Sequence, residues 1–300
     1  MSVYVFFHKN CHDGLAAAWV LKQQYPDAIF VPTIYQPADW LKYMDKITAD
    51  DTVFFVDFCP KPEELDALIG KAKHVEVLDH HKTSIDAILF YRDYKNTLID
   101  HCSFKEDKSG AVIAWERFNP GKEAPELLKW IGMIDLWKMQ NDEDWAVMQY
   151  IRTVLPMGAT IEDFDKMVRW FNLEDAKKMG GMVHQRVKKD CDAALKSSYT
   201  ITLIAPNGQE FEVVGVNALM MQSEIGNHIT EKTGKTACVF FINPAKGIAK
   251  VSFRGKGSRE VATAFGGGGH DNAAACVLPI EDWLKQLKTA KHLYMGSELT

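Results

Sequence analysis

Three hundred residues, 47% hydrophobic and 25% charged, form an ordinary globular composition, and a prior of roughly 100–200 residues per domain makes two domains the first expectation. A formal net charge of −5 argues against a surface that grips long duplex nucleic acid, because that task calls for many phosphate-neutralising cations. The 6 cysteines are scattered without a CxxC pair, so neither a disulfide framework nor a thiolate zinc site is expected, and the thiols should be reduced.

The opening MSVYVFFHKNCHDG has no basic segment ahead of its short apolar run and reads as a buried strand rather than a signal peptide. No apolar stretch approaches the roughly 18 residues that span a bilayer, so a cytoplasmic location without a membrane partner is expected. Short β-rich runs then alternate with amphipathic stretches: VYVFFH, DGLAAAWVLKQQY, IFVPTIY, TVFFVDF, PEELDALIGKAK and HVEVLDH. Such alternation predicts an α/β fold with a parallel sheet covered by helices on both faces. Three of the runs end in ligand-type residues, namely His8, Asp57 and the Asp79–His80–His81 trio. Ligands bind beyond the carboxyl ends of strands in open parallel sheets, so these distant residues should converge.

From Ser109 to Leu195 the pattern is helical, and its last stretch, about 173–195, predicts a connecting helix. Gly180 and Gly181 should each weaken that helix by about 1 kcal/mol relative to Ala. The expected boundary lies near residue 196, giving domain 1–195 and a smaller α/β domain 196–300. In the second domain YTITLIA, FEVVGVN, ACVFFIN and IAKVSFR read as strands, with helices near Ser223–Lys232, Arg259–Phe265 and Ile280–His292. Between Glu231 and Glu260 lie Lys232, Lys235, Lys246, Lys250, Arg254, Lys256 and Arg259, a stretch that either attracts a small anion or forms a solvated basic face.

Leu78–Thr83, LDHHKT, sets a carboxylate beside two imidazoles at the end of an apolar strand. That group offers a hard oxygen ligand, a nitrogen ligand and a proton donor or phosphate contact within one turn of chain. Upstream, HKNCHDG puts His8 at a strand end and Asp13–Gly14 at a helix start, where glycine permits close approach of a metal or phosphate. Asp57 closes VFFVD and Asp135 interrupts WIGMIDLW; for each alone, helix capping or a buried ion pair is as good an explanation as metal ligation. Together they are better explained by metal. Phe265–Ala275, FGGGGHDNAAA, presents backbone amides of Gly267, Gly268 and Gly269 that could approach an anion closely, with His270 directed to the same place.

In this order the elements resemble the DHH phosphoesterase superfamily with its DHH-associated C-terminal domain. That superfamily includes single-strand DNA exonucleases, oligoribonucleases of the nanoRNase type, cyclic-dinucleotide phosphodiesterases and manganese pyrophosphatases. HKNCHDG resembles its first motif, VFFVDF the second, LDHHKT the third, MIDLW the fourth, and VSFRGKGSREVATAFGGGGHDNAAA the C-terminal signature. The resemblance implies two manganese ions held by His8, Asp13, Asp57, His80 and Asp135, with Asp57 bridging and His81 facing the phosphate. It also implies a phosphate clamp of Arg254 and His270, and an active site in the cleft between the domains. One position departs from the pattern: where the family carries the first aspartate of DxDG, this chain has Cys11. A Cys11 thiolate, Asn10 or His12 in its place, or a weakened metal position, are all consistent with the sequence.

The activity these features predict is hydrolysis of phosphodiester bonds in short single-stranded oligonucleotides or dinucleotides, through a hydroxide shared by two metals ~3.5–4 Å apart. Oxygen and imidazole ligands suit manganese, with magnesium or cobalt as substitutes. Cyclic-dinucleotide or polyphosphate hydrolysis, and a catalytically degenerate nucleotide-binding protein, are the competing expectations. Trp137, next to Asp135, is read as core packing ahead of base stacking.

Overall fold

VYVFFH forms β1 (Val3–His8), whose side chains alternate between two buried faces, as the two-residue period of a strand requires. The computed structural model describes residues 1–35, 39–91, 97–288 and 291–292, and the chain divides into two units, Met1–His184 and Gln185–Thr300. After β1 come α1 (His12–Gln24), β2 (Ile29–Thr33), β3 (Thr52–Val56), α2 (Pro62–Ile69), β4 (His74–Asp79), α3 (Lys82–Leu89) and β5 (Cys102–Phe104). The five strands form one sheet in the order β2-β1-β3-β4-β5, with every neighbouring pair parallel.

Val5, Phe7, Phe54, Val56 and Leu78 face one apolar layer, which they share with Ala16, Ala17 and Val20 of α1. Tyr4, Phe6, Val53, Phe55, Val75 and Val77 face the other, filled by Trp40, Leu65, Leu68 and Ile88. Helices therefore cover both faces, and the strands read as continuous apolar runs because neither face meets water.

Five helices follow: α4 (Gly110–Phe118), α5 (Glu126–Asp135), α6 (Asp142–Val154), α7 (Ile161–Trp170) and α8 (Leu173–Lys196). The side-chain oxygens of Ser109, Asn141 and Thr160 accept from backbone N–H groups at the starts of α4, α6 and α7. These are the groups that a helix N-terminus leaves without partners. The division between the two units falls inside α8. Its two glycines are not equivalent. A Cβ on Gly180 would lie 1.9 Å from the Ala146 carbonyl oxygen, whereas one on Gly181 meets nothing within 4 Å.

The second unit comprises β6 (Tyr199–Ile204), β7 (Glu210–Asn217), α9 (Gln222–Thr233), β8 (Ala237–Asn243), β9 (Ile248–Arg254), α10 (Ser258–Ala264), β10 (Gly268–His270), β11 (Ala273–Pro279), α11 (Ile280–Leu287) and β12 (Lys291–His292). Its strands form a mixed seven-stranded sheet in the order β10-β11-β9-β8-β7-β6-β12. Ile201, Leu203, Phe240, Val251, Phe253 and Trp283 fill its core.

One sequence expectation changes here. The helix expected over Ile280–His292 ends at Leu287, and Lys291–His292 pair with β6 instead. FGGGGHDNAAA forms a β-hairpin, in which alanines that favour helix on propensity are drawn into β11 by pairing with β9. Two of its glycines are demanded by that packing. A Cβ on Gly267 would lie 2.1 Å from the Ala275 carbonyl oxygen, and Gly269, at φ +139°, would place one 2.6 Å from that of Ala273. Gly268 has open space around it.

Candidate metal centre

The strand order reverses between β1 and β3, and an open parallel sheet binds ligands at the carboxyl edge of such a switch point. β1 ends there in His8, β3 runs directly into Asp57, and β4 ends in Asp79 with His80 and His81 following. Asp57 has a left-handed backbone, φ 51°, which turns its side chain out of the sheet register. Asn10 and Trp137 share that conformation, so three of the four non-glycine residues with positive φ among the described residues flank this edge. Strain of this kind persists where surrounding structure over-determines it, and functional sites are its usual location.

Four of the five expected ligands converge on Nε2 or a carboxylate of the others. His80 Nε2 lies 3.2 Å from Asp57 Oδ1, 3.2 Å from Asp135 Oδ2 and 3.9 Å from Asp13 Oδ2. The fifth, His8, places Nδ1 3.5 Å from Asp57 Oδ2. Asp57 is fully buried, and neither of its oxygens has a hydrogen-bond partner; the two nearby imidazole nitrogens approach without hydrogen-bond directionality. His8 Nδ1 is likewise buried and without a hydrogen bond.

A carboxylate with both oxygens buried and without hydrogen bonds is too costly to be an ordinary core residue. Donor atoms near 3.2 Å apart match adjacent positions around a small octahedral cation, whose bonds of ~2.1 Å put neighbouring ligands about 3 Å apart. This is the chemistry of a divalent-cation site, and three overlapping donor groups can form it: Asp57–Asp79–His80–His81, His8–Cys11–Asp57 and Asp13–His80–Asp135.

Charge is tightly coupled across the cluster. Burial alone would raise the Asp57 carboxyl, but the imidazoles of His8, His80 and His81 outweigh it and hold the group well below the usual carboxylate range. Burial would likewise lower His80, yet Asp57, Asp135 and Asp13 push it up to about 9. Burial, with Asp57 beside it, pushes Asp135 up to about 6.

Asp13 has a second task. Its Oδ2 accepts from Gly110 N at 2.6 Å and its Oδ1 from Ala111 N at 3.1 Å, so it caps α4 from the start of α1. Two glycines make the approach possible. A Cβ on Gly14 would lie 2.4 Å from the His8 carbonyl oxygen, and one on Gly110 would lie 2.7 Å from Asp57 Cβ.

Residues 213–294 match the family model of the DHHA1 domain. Over 299 residues the chain is 27% identical to an uncharacterized protein of Acanthamoeba polyphaga mimivirus, an alignment covering 90% of this chain and 66% of that relative, so the chain spans just under two thirds of the relative's length. Among solved structures it is similar to RecJ of Thermus thermophilus in complex with Mn2+, with 16% identity, a TM-score of 0.50, and coverage of 96% of this chain and 51% of RecJ. Residues 213–294 therefore carry a DHHA1 domain, and the chain shares the fold of RecJ. A pGpG-specific phosphodiesterase of Vibrio cholerae also matches, at 15% identity and a TM-score of 0.47, over 96% of this chain and 97% of that one.

The DHH tripeptide divides its labour in a way that the sequence does not disclose. Asp79 Oδ1 accepts from the His80 backbone N–H at 2.8 Å and pairs with His81 Nδ1 at 2.7 Å. Asp79 therefore orients His81, and, although burial opposes it, the Asp79 carboxylate with help from Asp57 and Asp135 pushes that imidazole up to about 10. Sequence reasoning also missed Gly110, whose only signal was its place after the cap residue Ser109. It missed Tyr35 too, whose ring meets those of His8 and His81 edge-on at 5.8 and 6.3 Å.

Of the three side chains that the sequence offers in HKNCHDG beside His8 and Asp13, His12 is committed elsewhere, with Nε2 2.6 Å from the Leu155 carbonyl oxygen. Asn10 is exposed, and Cys11 places its sulfur with His8 and Asp57. Cys11 also lines a cavity of about 440 Å³ with Phe7, Leu15, Phe30, Pro32 and Lys9. Trp137 packs edge-on against Trp145, with ring centroids 5.2 Å apart, in line with the core reading.

The residues expected to grip phosphate lie in the second unit. Arg254 donates to the Phe253 carbonyl oxygen at 2.7 Å and to Ser223 Oγ at 2.8 Å, and its stem covers Gly226. His270 is exposed on β10. Two cations of the basic stretch are paired locally, Lys235 with Glu212 and Arg259 with Asp271. All six cysteines are free, and among the described residues no helix is long and apolar enough to cross a membrane.

Proposed function

We propose that this protein is a divalent-metal phosphoesterase that hydrolyses phosphodiester bonds in short oligonucleotides or dinucleotides, with manganese as its working ion. The observation that carries this reading is Asp57, buried with both oxygens free of hydrogen bonds at the switch point, between imidazoles of His8 and His80. Its carboxylate would hold the ions together with those imidazoles.

His8, Asp13, Asp57, His80 and Asp135 would hold the ions, which when bound supply Lewis-acid stabilisation of phosphoryl charge and an acidified water. His81, kept cationic by Asp79, donates to a phosphoryl oxygen or to the departing oxygen. The cavity beside Cys11 is of the size that small ligands use and offers apolar walls with Lys9 at its edge, which suits one nucleoside of a short substrate. Within the second unit, the planar fork of Arg254 is of the kind that pairs with phosphate oxygens. A net charge of −5 favours short substrates over long tracks.

The test replaces His80 or Asp57 with Ala and follows manganese-dependent release of nucleoside monophosphate from pApA, beside cyclic di-AMP, a short RNA and tripolyphosphate. Turnover of pApA or RNA that collapses in both variants supports the reading. Turnover unchanged in either variant removes the metal assignment, and preferential cleavage of cyclic di-AMP or tripolyphosphate redirects the substrate class.

A further inference from the structure

We propose that Cys11 is a thiolate ligand in one of the two cation positions, so that the His8–Cys11–Asp57 position takes a thiophilic divalent ion, cobalt or zinc, ahead of manganese. The proposal rests on the phosphoesterase reading above and specifies the chemistry of its metal pair. The Cys11 sulfur, a His8 ring nitrogen and an Asp57 carboxylate oxygen all lie within 4.8 Å of one another.

Independent support comes from the two partners. Asp57 is fully buried with no hydrogen bond to either oxygen, and His8 Nδ1 is buried without one, so the sulfur faces donor atoms that are engaged only in the ion pairs of this cluster. Cys11 is also free of the task its position suggests. It is the N-cap residue of α1, with an extended backbone, yet its side chain makes no capping hydrogen bond. The neighbouring alternative, His12, is turned to the Leu155 carbonyl oxygen.

Binding breaks the S–H bond. The sulfur electron pair forms the bond to the cation and the proton passes to solvent, as thiol coordination requires. A nitrogen–sulfur–oxygen donor set favours softer ions, whereas Asp13, His80 and Asp135 offer only oxygen and nitrogen and suit manganese or magnesium. The two positions are thus chemically unlike, and cobalt or zinc should fill the Cys11 position first.

The metal-free full chain is titrated with Co2+ and read by absorption and by metal analysis. Wild type should bind two equivalents and develop an intense near-ultraviolet sulfur-to-cobalt charge-transfer band. Cys11→Ser should lose the band and bind the corresponding ion at least about tenfold more weakly, since even loss of an outer-shell partner has an effect of that size. Cys11→Asp should bind two equivalents without the band, which also shows that the altered segment still folds. Cys59 and Cys102 donate to the carbonyl oxygens of Pro60 and Leu98, so loss of the band with Cys11 alone assigns it. Two equivalents bound by wild type with no band, or a band that survives in Cys11→Ser, overturns the thiolate while leaving the phosphoesterase reading in place. Failure of wild type to bind cobalt at all overturns both.

Discussion

Asp79 and His81 form an ion pair, with His81 Nδ1 2.7 Å from Asp79 Oδ1. The carboxylate accepts from Nδ1 and favours the doubly protonated ring, in which Nε2 also carries a proton. Two residues of one motif are therefore paired with each other, while the residue between them, His80, sits in the carboxylate cluster.

Asp79→Asn should leave metal content unchanged and lower kcat by about 10- to 100-fold, the range seen when an orienting partner is removed from a site. KM should change far less. Metal analysis and steady-state kinetics on a dinucleotide check both halves; a variant that loses metal would make Asp79 a ligand instead.

Gly110→Ala should disrupt the metal centre from outside it. The added Cβ would lie 2.7 Å from Asp57 Cβ and 3.1 Å from Asp13 Oδ2, and relieving that overlap has to move α4 or the carboxylates. A stability loss of about 1–3 kcal/mol is expected, with weakened metal binding. Urea unfolding and calorimetric titration with manganese measure the two effects.

Gly180→Ala and Gly181→Ala should have opposite signs. The first drives a methyl into the Ala146 carbonyl and destabilises the first unit; the second meets open space and should stabilise α8 by about 1 kcal/mol. Thermal unfolding of the pair tests whether the double glycine exists for one close crossing.

Arg254→Ala should raise KM for a dinucleotide or lower turnover with metal content intact, because the arginine lies in the second unit and is braced by Ser223 and the Phe253 carbonyl. Kinetics equal to wild type would make it a packing residue over Gly226.

Asp51→Ala should destabilise the protein by about 1–3 kcal/mol at neutral pH. The carboxylate accepts from Ser2 N at 2.6 Å, Thr48 N at 2.9 Å and Thr48 Oγ1 at 2.9 Å, and its loss strands those donors. Those same hydrogen bonds, led by Ser2 N, hold the Asp51 carboxyl below its ordinary range in the folded protein. A depressed folded pKa means that the stabilisation is fully present above the unfolded value of about 4 and disappears as pH falls through the folded value. The gap between wild type and variant in urea midpoint should therefore be widest at neutral pH and close at strongly acidic pH.

Much of this protein is written locally. Apolar runs ending in His8, Asp57 and Asp79 specify strands of a doubly covered parallel sheet, because a strand buried on both faces has to be apolar throughout until it emerges at its functional end. The same rule brings His8, Asp57 and His80 to one edge without any knowledge of coordinates. Cross-chain geometry supplied the rest. That Asp79 pairs with His81, that a Cβ on Gly110 would collide with Asp57, that His12 turns away and Cys11 does not, and that the glycine run is a hairpin all depend on which atoms from distant segments arrive within a few ångströms. Sequence determines period and polarity along one strand or helix; hydrogen bonds, steric overlap and ligand distances act between segments, so only packing decides them.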